Sequence, residues 1–430
     1  MRRLLDAVYA VALLVLAPWL LWRAWRTGRY RTGLSVRLRG TVESLPTAAV
    51  WFHGVSVGEV HVLRQLVPAF RQRHPGRAVV VTSSTDTGLA EARRIFSDVP
   101  VFAFPFDFSW AVERTLRSVQ PELVVLCESE LWPNFLWTAR KLGVPVAVVN
   151  ARMSPRSLAR YQLVAPLVRG LFAGLELLAA QDEEHAAALL ALGGRPGKVR
   201  VTGNIKYDGA RLDRHQPQTL ELGRLLGVEP GQTVWIAGST QAPEEDIVLE
   251  IFCRAVQRHP GLRLFLVPRQ RDRFDEVARL LHKKGVPYDR RSQLRDEPAR
   301  QAVVLVDTIG ELSFLWGLAD LAYVGGSLDG RRGGQNMIEP AAYGAAVTFG
   351  PHVWNFRQTA QRLVEVGGAY QVNNARELEE VTLRLLGDEA ERRAAAQQAR
   401  AFVARQQGAT ARTLDLLDGL LTRPSEKQVA

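Results

Sequence analysis

The segment AAVWFHGVSVGEVHVLRQLVPAFRQR (48–73) changes character in its middle. Its first nine residues, Ala48 to Ser56, form a short β-branched and aromatic run. From Val60 to Arg73 the apolar residues Leu63, Leu66, Val67 and Phe70 recur at the spacing of one helical face. Gly54 and Gly58 stand between the two parts, where the backbone must turn tightly. The segment reads as strand, turn, helix. The same alternation continues outward through AVVVTSS (78–84), ELVVLCES (122–129), VPVAVVN (144–150) and KVRVTGN (198–204). It resumes with TVWIAGST (233–240), LRLFLVP (262–268), AVVLVDT (302–308), DLAYVGGS (320–327) and AAVTFG (345–350). Nearly continuous apolar strands separated by helices describe parallel sheets covered on both faces. Between the two sets, Asp208 to Gln232 is polar, rich in proline and glycine, and holds no clear strand. The expected architecture is α/β: two Rossmann-like, doubly wound domains facing across a cleft, where ligands bind beyond the strand ends. Expected limits are an N-terminal anchor at 1–30, a first domain at 31–210 and a linker at 211–232. A second domain follows at 233–395, with terminal helices at 396–430.

The 430 residues carry 55 Lys plus Arg against 44 Asp plus Glu, a formal charge of +11. That balance favours an anionic partner: nucleic acid, an acidic lipid surface or a phosphorylated substrate. Nucleic acid fits poorly, because the basic residues are spread along helices and no RNP-like aromatic motif is present. With hydrophobic residues at 47%, the chain can bury sizeable cores, which excludes disorder as its main state. Two distant cysteines, Cys127 and Cys253, exclude a disulfide scaffold and a thiolate metal site. At the start, Ala7 to Trp22 forms a 16-residue apolar run. Arg2 and Arg3 precede it, and Arg23, Arg26, Arg29, Arg31, Arg37 and Arg39 follow. The heavier basic load after the run predicts a retained transmembrane or shallow anchor with a cytoplasmic body. A cleaved signal peptide is the rival, but no small-residue cleavage site follows.

Several strand ends carry residues able to do chemistry. Glu59 closes His53-Gly-Val-Ser-Val-Gly-Glu59; it is either a general base or a first-turn acid favoured by the helix dipole. Glu128 and Glu130 follow the run LVVL, as substrate ligands or helix-start acids. Lys206, after Gly203-Asn204-Ile205, could neutralise a phosphate or simply be solvated. Gly238-Ser239-Thr240 precedes an acidic helix start at Glu244, a place where exposed amides can take a phosphate. Pro268-Arg269, Ile309-Gly310-Glu311 and Gly325-Gly326-Ser327 end further strands. The most distinctive stretch is Gly333-Gly334-Gln335-Asn336-Met337-Ile338-Glu339-Pro340, which suits a nucleotide's phosphate and ribose or, more plainly, a tight loop with an Asn cap. Neither a phosphate loop of the G-x-x-x-x-G-K-[ST] type nor an H-E-x-x-H pair occurs, and no Asp-x-Asp closes a strand, so no metal is expected.

Taken in order, the blocks HGVSVGE (53–59), ESELWPN (128–134), NARMSPRS (150–157), VTGNIKYD (201–208), VPRQRDRF (267–274), DTIGEL (307–312), ADLAYVGGSL (319–328), GGQNMIEPA (333–341) and GPHVWNF (350–356) resemble the 3-deoxy-D-manno-octulosonic acid (Kdo) transferases of lipid A assembly. The resemblance implies a GT-B glycosyltransferase at the cytoplasmic face of the inner membrane. It would move Kdo from CMP-Kdo to a sugar hydroxyl of a lipid A precursor, with inversion and without a cofactor. It assigns Glu59 as the base, and Glu128 and Lys206 to transition-state stabilisation. Pro268, Arg269, Ile309, Gly310, Glu311, Asn336, Met337, Ile338 and Glu339 would bind CMP. The partners implied are the lipid A precursor and an anionic membrane surface. Two departures stand out: the family usually has His at the positions of Gln241 and Gln335. Other readings are a GT-B lipid-linked sugar transferase using a different nucleotide sugar, or a catalytically silent membrane-bound glycolipid- or nucleotide-binding protein.

Overall fold

Strands that are apolar along their whole length need cover on both faces. The computed structural model describes residues 2–27, 32–42, 45–46, 48–128, 131–295 and 297–421 and arranges such strands in two parallel seven-stranded sheets. The first contains β1 (Val50–His53), β2 (Val79–Ser83), β3 (Val101–Ala103), β4 (Leu123–Cys127), β5 (Val146–Ala151), β6 (Leu177–Ala180) and β7 (Val199–Val201). Their spatial order is β3-β2-β1-β4-β5-β6-β7. The second contains β8 (Thr233–Thr240), β9 (Leu262–Pro268), β10 (Tyr288–Arg290), β11 (Val303–Leu305), β12 (Leu321–Val324), β13 (Ala346–Phe349) and β14 (Ala369–Gln371), in the order β10-β11-β9-β8-β12-β13-β14.

In each sheet the chain begins in the middle and then winds outward both ways. β1 lies between β2 and β4, with His53 opposite Thr82 and Leu126. β8 lies between β9 and β12, with Gly238 opposite Val267 and Val324. Every residue of β1, β2, β4 and β5 is buried. Two apolar layers enclose the first sheet, one around Trp51 and Phe135, the other around Phe52 and Phe70. The helix Val57–Arg73 contributes Val60, Leu63, Leu66, Val67 and Phe70 to the second layer, the face expected from their spacing.

The chain divides by its contacts otherwise than at 31–210, 211–232, 233–395 and 396–430. One unit comprises Met1–Gly209 with Gln407–Ala430, the other Ala210–Gln406. The stretch assigned to a linker belongs to the second unit and contains the helix Pro217–Leu225, which buries Thr219, Leu222 and Leu225. The terminal helices part company: Glu389–Gln406 stays with the second unit, while Ala409–Leu421 returns to the first and buries Leu414 and Leu417 in its core.

The expected membrane span is corrected. Ala7 to Trp22 lies within the helix Arg2–Thr27, but among the described residues no helix is long and apolar enough to cross a membrane. Sixteen apolar residues rise only about 24 Å against a hydrocarbon core of about 30 Å. Polar contacts also tie one side of the helix to the first unit. The Ser109 amide and the Asn134 side chain donate to Asp6 (2.8 and 3.0 Å), and the Tyr9 hydroxyl donates to Asp107 (3.1 Å). Arg37, counted above among the flanking charges, is buried and donates to the carbonyls of Thr32 and Ser84. Arg29 and Arg31 lie outside the described residues.

Burial pushes the Asp107 carboxyl up to about 6, although the amides of Asn134 and Phe135 and the Tyr9 hydroxyl favour its ionised form and nearby Asp6 opposes it. A carboxyl raised in the folded state takes up its proton before the unfolded chain does. Its stabilising contribution is therefore fully present below about pH 4 and is lost as the pH rises through about 6. Chemical denaturation at pH 7 and pH 5 should show wild type gaining about 1 kcal/mol on acidification relative to Asp107→Asn.

Candidate active site

Where β1 ends, the chain passes from His53 through Gly54 into the helix that begins at Val57. Burial drives the His53 imidazole down to about 3, so it stays neutral, stacked on Phe104 at 3.8 Å and bonded to the hydroxyls of Thr82 and Ser84. This fixes the start of the turn that leads into the helix carrying Glu59. The Glu59 carboxylate accepts from the Val55 amide (2.7 Å) and the Ser56 hydroxyl (3.0 Å), so it is buried and held in a set orientation.

On the neighbouring strand end, Glu128 has φ of 60°, a left-handed backbone that only glycine adopts without strain. Its side chain is 9% exposed and is gripped on both oxygens: Lys206 Nζ lies 3.2 Å from Oε1 and Arg152 Nε 2.8 Å from Oε2. Lys206 stands on the short helical turn Ile205–Tyr207, capped by Asn204, whose Oδ1 accepts from the Lys206 amide. Asn150, with φ of 52° at the end of β5, accepts from the Ile205 amide through its side chain and from Gln181 through its carbonyl. Gln181 in turn accepts from Asn204. The charges of Glu59, Glu128 and Lys206 all act on Cys127, whose thiol is pushed up first by burial, then by Glu128 and Glu59, with Lys206 opposing them. Glu130 lies outside the described residues. Arg152, Asn150 and Gln181 had no role in the sequence reading. Asn150 ends the strand run VPVAVVN, the kind of position where chemistry collects in open sheets, but nothing in the sequence shows which side chains Arg152 and Gln181 meet.

The second unit places Pro268 buried at the end of β9, with Arg269 exposed beside it. Ile309 is 67% exposed on the loop after β11, next to Gly310 at φ of 97°. Glu311 accepts from Arg291 (2.6 Å) and from the Thr308 hydroxyl. The Asn336 side chain accepts from the Ile338 amide (3.1 Å) and donates to Glu339 (2.9 Å). Met337 and Ile338 are buried, so they can meet a ligand only through their backbone. The helix start after Thr240 is not an open phosphate site: Glu244 of the same chain accepts from the Gln241 amide (3.0 Å).

Two parallel seven-stranded α/β sheets, each wound outward from a central strand, define a GT-B-like fold. The overall likeness extends to UDP-GlcNAc 2-epimerase from Neisseria meningitidis (TM-score 0.55, 13% identity, 87% of this chain and 100% of that one), a likeness of fold alone. A profile of the family described as 3-Deoxy-D-manno-octulosonic-acid transferase (kdotransferase) matches residues 25–209. The chain is 37% identical over 433 residues to the 3-deoxy-D-manno-octulosonic acid transferase of Bordetella pertussis, spanning 96% of this chain and 99% of the relative. It is 34% identical over 402 residues to that of Haemophilus influenzae, with 93% of each covered. The chain belongs to the 3-deoxy-D-manno-octulosonic acid transferases, and it is a glycosyltransferase.

The left-handed backbone of Glu128 is directly testable. Alanine there keeps the strain while glycine relieves it, by about 1–2 kcal/mol before glycine's greater unfolded-state entropy is counted. Thermal melting should therefore place Glu128→Gly no lower than Glu128→Ala.

Proposed function

We propose that the protein transfers Kdo from CMP-Kdo to a sugar hydroxyl of a lipid A precursor, in lipopolysaccharide biosynthesis, with inversion at the anomeric carbon. The observation that carries this reading is that the Glu128–Lys206 pair and the pre-oriented Glu59 follow the carboxyl ends of two hydrogen-bonded strands, β4 and β1. Glu59, pre-oriented by Val55 and Ser56, removes the proton from the acceptor hydroxyl as its oxygen attacks the anomeric carbon. The bond to the CMP phosphate oxygen breaks on the opposite side. Glu128 orients Lys206, whose charge offsets the anionic groups brought together in the reaction. Arg269, the loop of Ile309 to Glu311 and the segment Asn336 to Glu339 bind the nucleotide.

Incubating detergent-solubilised protein with CMP-Kdo and a tetraacylated lipid A precursor should give Kdo-sized mass additions. Glu59→Gln should remain folded, still bind CMP and lose at least 10²-fold in rate. Unchanged turnover in that variant removes Glu59 from the base role. Of the two alternatives, a different nucleotide sugar is distinguished by CMP against UDP-sugar binding. A silent binding protein is excluded by turnover.

The helix Arg2–Thr27 is proposed to lie on an anionic membrane surface. It exposes Leu4, Val8, Val11, Leu14 and Val15, while Asp6 is buried against the folded body. A helix with one polar side docked and an apolar side bare suits the headgroup boundary rather than a span. In flotation with vesicles containing anionic lipid, wild type should rise with the lipid. A Leu14→Glu/Val15→Glu double variant should lose most of that binding, and equal flotation of the two would discard this role for the helix.

A further inference from the structure

The carboxyl end of β8 holds buried polar groups that the nucleotide segments leave unused. β8 loses register with β9 between Gly238 and Thr240, and Ser239 in this bulge has φ of 57°. A non-glycine residue holds that conformation only under steric strain. Beyond the bulge Thr240 and Gln241 are 0% and 5% exposed, and neither the Thr240 hydroxyl nor the Gln241 side-chain carbonyl has a hydrogen-bond partner. A buried polar group without a partner has lost its water and gained nothing in return. A strained bulge that ends in two of them is built for something that satisfies them.

Gln241 and Gln335 meet at this point. Each side-chain nitrogen lies 3.3 Å from where a side chain at Gly326 would begin, so the two amides bracket one glycine with φ of 66°. Glu244 holds that loop. Its carboxylate accepts from the amides of Gln241, Gly326, Ser327 and Leu328 and from the Tyr323 hydroxyl. Backbone bonds then join the loop to the nucleotide segments: the Arg269 amide donates to the Thr240 carbonyl (3.0 Å) and the Gly334 amide to the Gly326 carbonyl (2.8 Å). With Glu244 saturated, Thr240, Gln241 and Gln335 are left as a neutral set between those segments.

We propose that Thr240, Gln241 and Gln335 form a neutral subsite for hydroxyl groups of the donor's sugar, with Glu244 as the positioning residue that sets the loop between the two amides. This rests on the reading of Arg269 and Asn336 to Glu339 as nucleotide-binding segments. The chemistry selects hydroxyls. Whichever way each amide is turned, it presents one acceptor and two N–H donors, and the threonine hydroxyl can give or take. A sugar hydroxyl also does both. A carboxylate or phosphate would satisfy the nitrogens but set a second acceptor against the amide carbonyl. The nucleotide segments thus hold CMP, and the β8 bulge reads the sugar attached to it.

Steady-state kinetics of the full-length protein with CMP-Kdo as varied donor and CMP as competing inhibitor test this. Gln241→Ala and Gln335→Ala should each raise the donor KM at least tenfold. Inhibition by CMP should stay within twofold of wild type, and Gln335→His should recover part of the loss. Glu244→Gln should raise the donor KM more than it lowers kcat. An unchanged donor KM in both alanine variants, or donor and CMP constants that rise together, overturns the subsite. If Gln241→Ala does not fold, Gln241→Asn, which withdraws the amide by one methylene, serves the same comparison. Wild type that transfers Kdo but is not inhibited by CMP overturns the nucleotide reading instead. Wild type that does not transfer Kdo overturns the donor reading and the subsite with it.

Discussion

A strand buried on both faces cannot carry a charge along its length, because the unpaired ion would have no water and no partner. The first sheet's central strands obey this constraint, and in the second the exception, Arg263 in β9, gives its charge to the carbonyls of Leu226 and Gly227; reactive side chains collect at the strand ends. β1 and β4 are wholly buried, and Glu59 and Glu128 follow them within a few residues. β8 and β12 are almost entirely apolar, and Thr240, Gln241 and the Gly325–Ser327 loop come where they stop. Because the chain enters each sheet at a central strand and winds away on both sides, the loops at that strand diverge and leave room between them. Backbone strain gathers there too. Glu128, Asn150 and Ser239 all hold left-handed φ values at carboxyl ends of strands. Strain of this kind persists only where surrounding contacts over-determine it. The double grip of Lys206 and Arg152 on Glu128 is such a contact.

The positive formal charge acquires a different meaning once its arginines are placed. Arg37 is buried against carbonyls, and Arg263 donates to the carbonyls of Leu226 and Gly227 after the helix Pro217–Leu225. Arg273 is paired with the buried Glu245 at 2.5 Å. These cations close helix ends and pin loops. A surplus of arginine therefore measures, in part, how much loop must be fastened around two sheets.

Ten strand-forming runs were legible because each is apolar over several residues and bounded by glycine, proline or a polar turn. Three of the strands that escaped, β3, β10 and β14, are three-residue edge strands; β7 is as short and lies at an edge too, but its alternating Val-Arg-Val before Gly203 made it legible. The fourth, β6, reads Leu-Leu-Ala-Ala and has the composition of a helix; its neighbours β5 and β7 override that preference. Glu59, Glu128 and Lys206 could be picked out by position alone, since each follows a strand. Arg152 and Gln181 could not, because their roles depend on which strand ends become neighbours in space. The same limit hid the meeting of Gln241 with Gln335. The short length of the N-terminal apolar run was visible, whereas the polar docking of Asp6 and Tyr9 was not, for their partners lie around residues 107 to 134.

The return of Ala409–Leu421 to the first unit carries a consequence for how the protein is made. Leu414 and Leu417, with Ala409 and Leu421, complete a core whose remaining buried members were synthesised before residue 210, and Asp415 and Asp418 of the same helix pair with Arg73. Domains generally fold in the order in which they leave the ribosome. Here that order is inverted at the last step. The second unit has all of its chain once Gln406 has emerged, while the first must wait, with an apolar seam open, until the final helix is released. A nascent chain interrupted near its end would thus leave the earlier-made half, not the later one, exposed to aggregation and proteolysis.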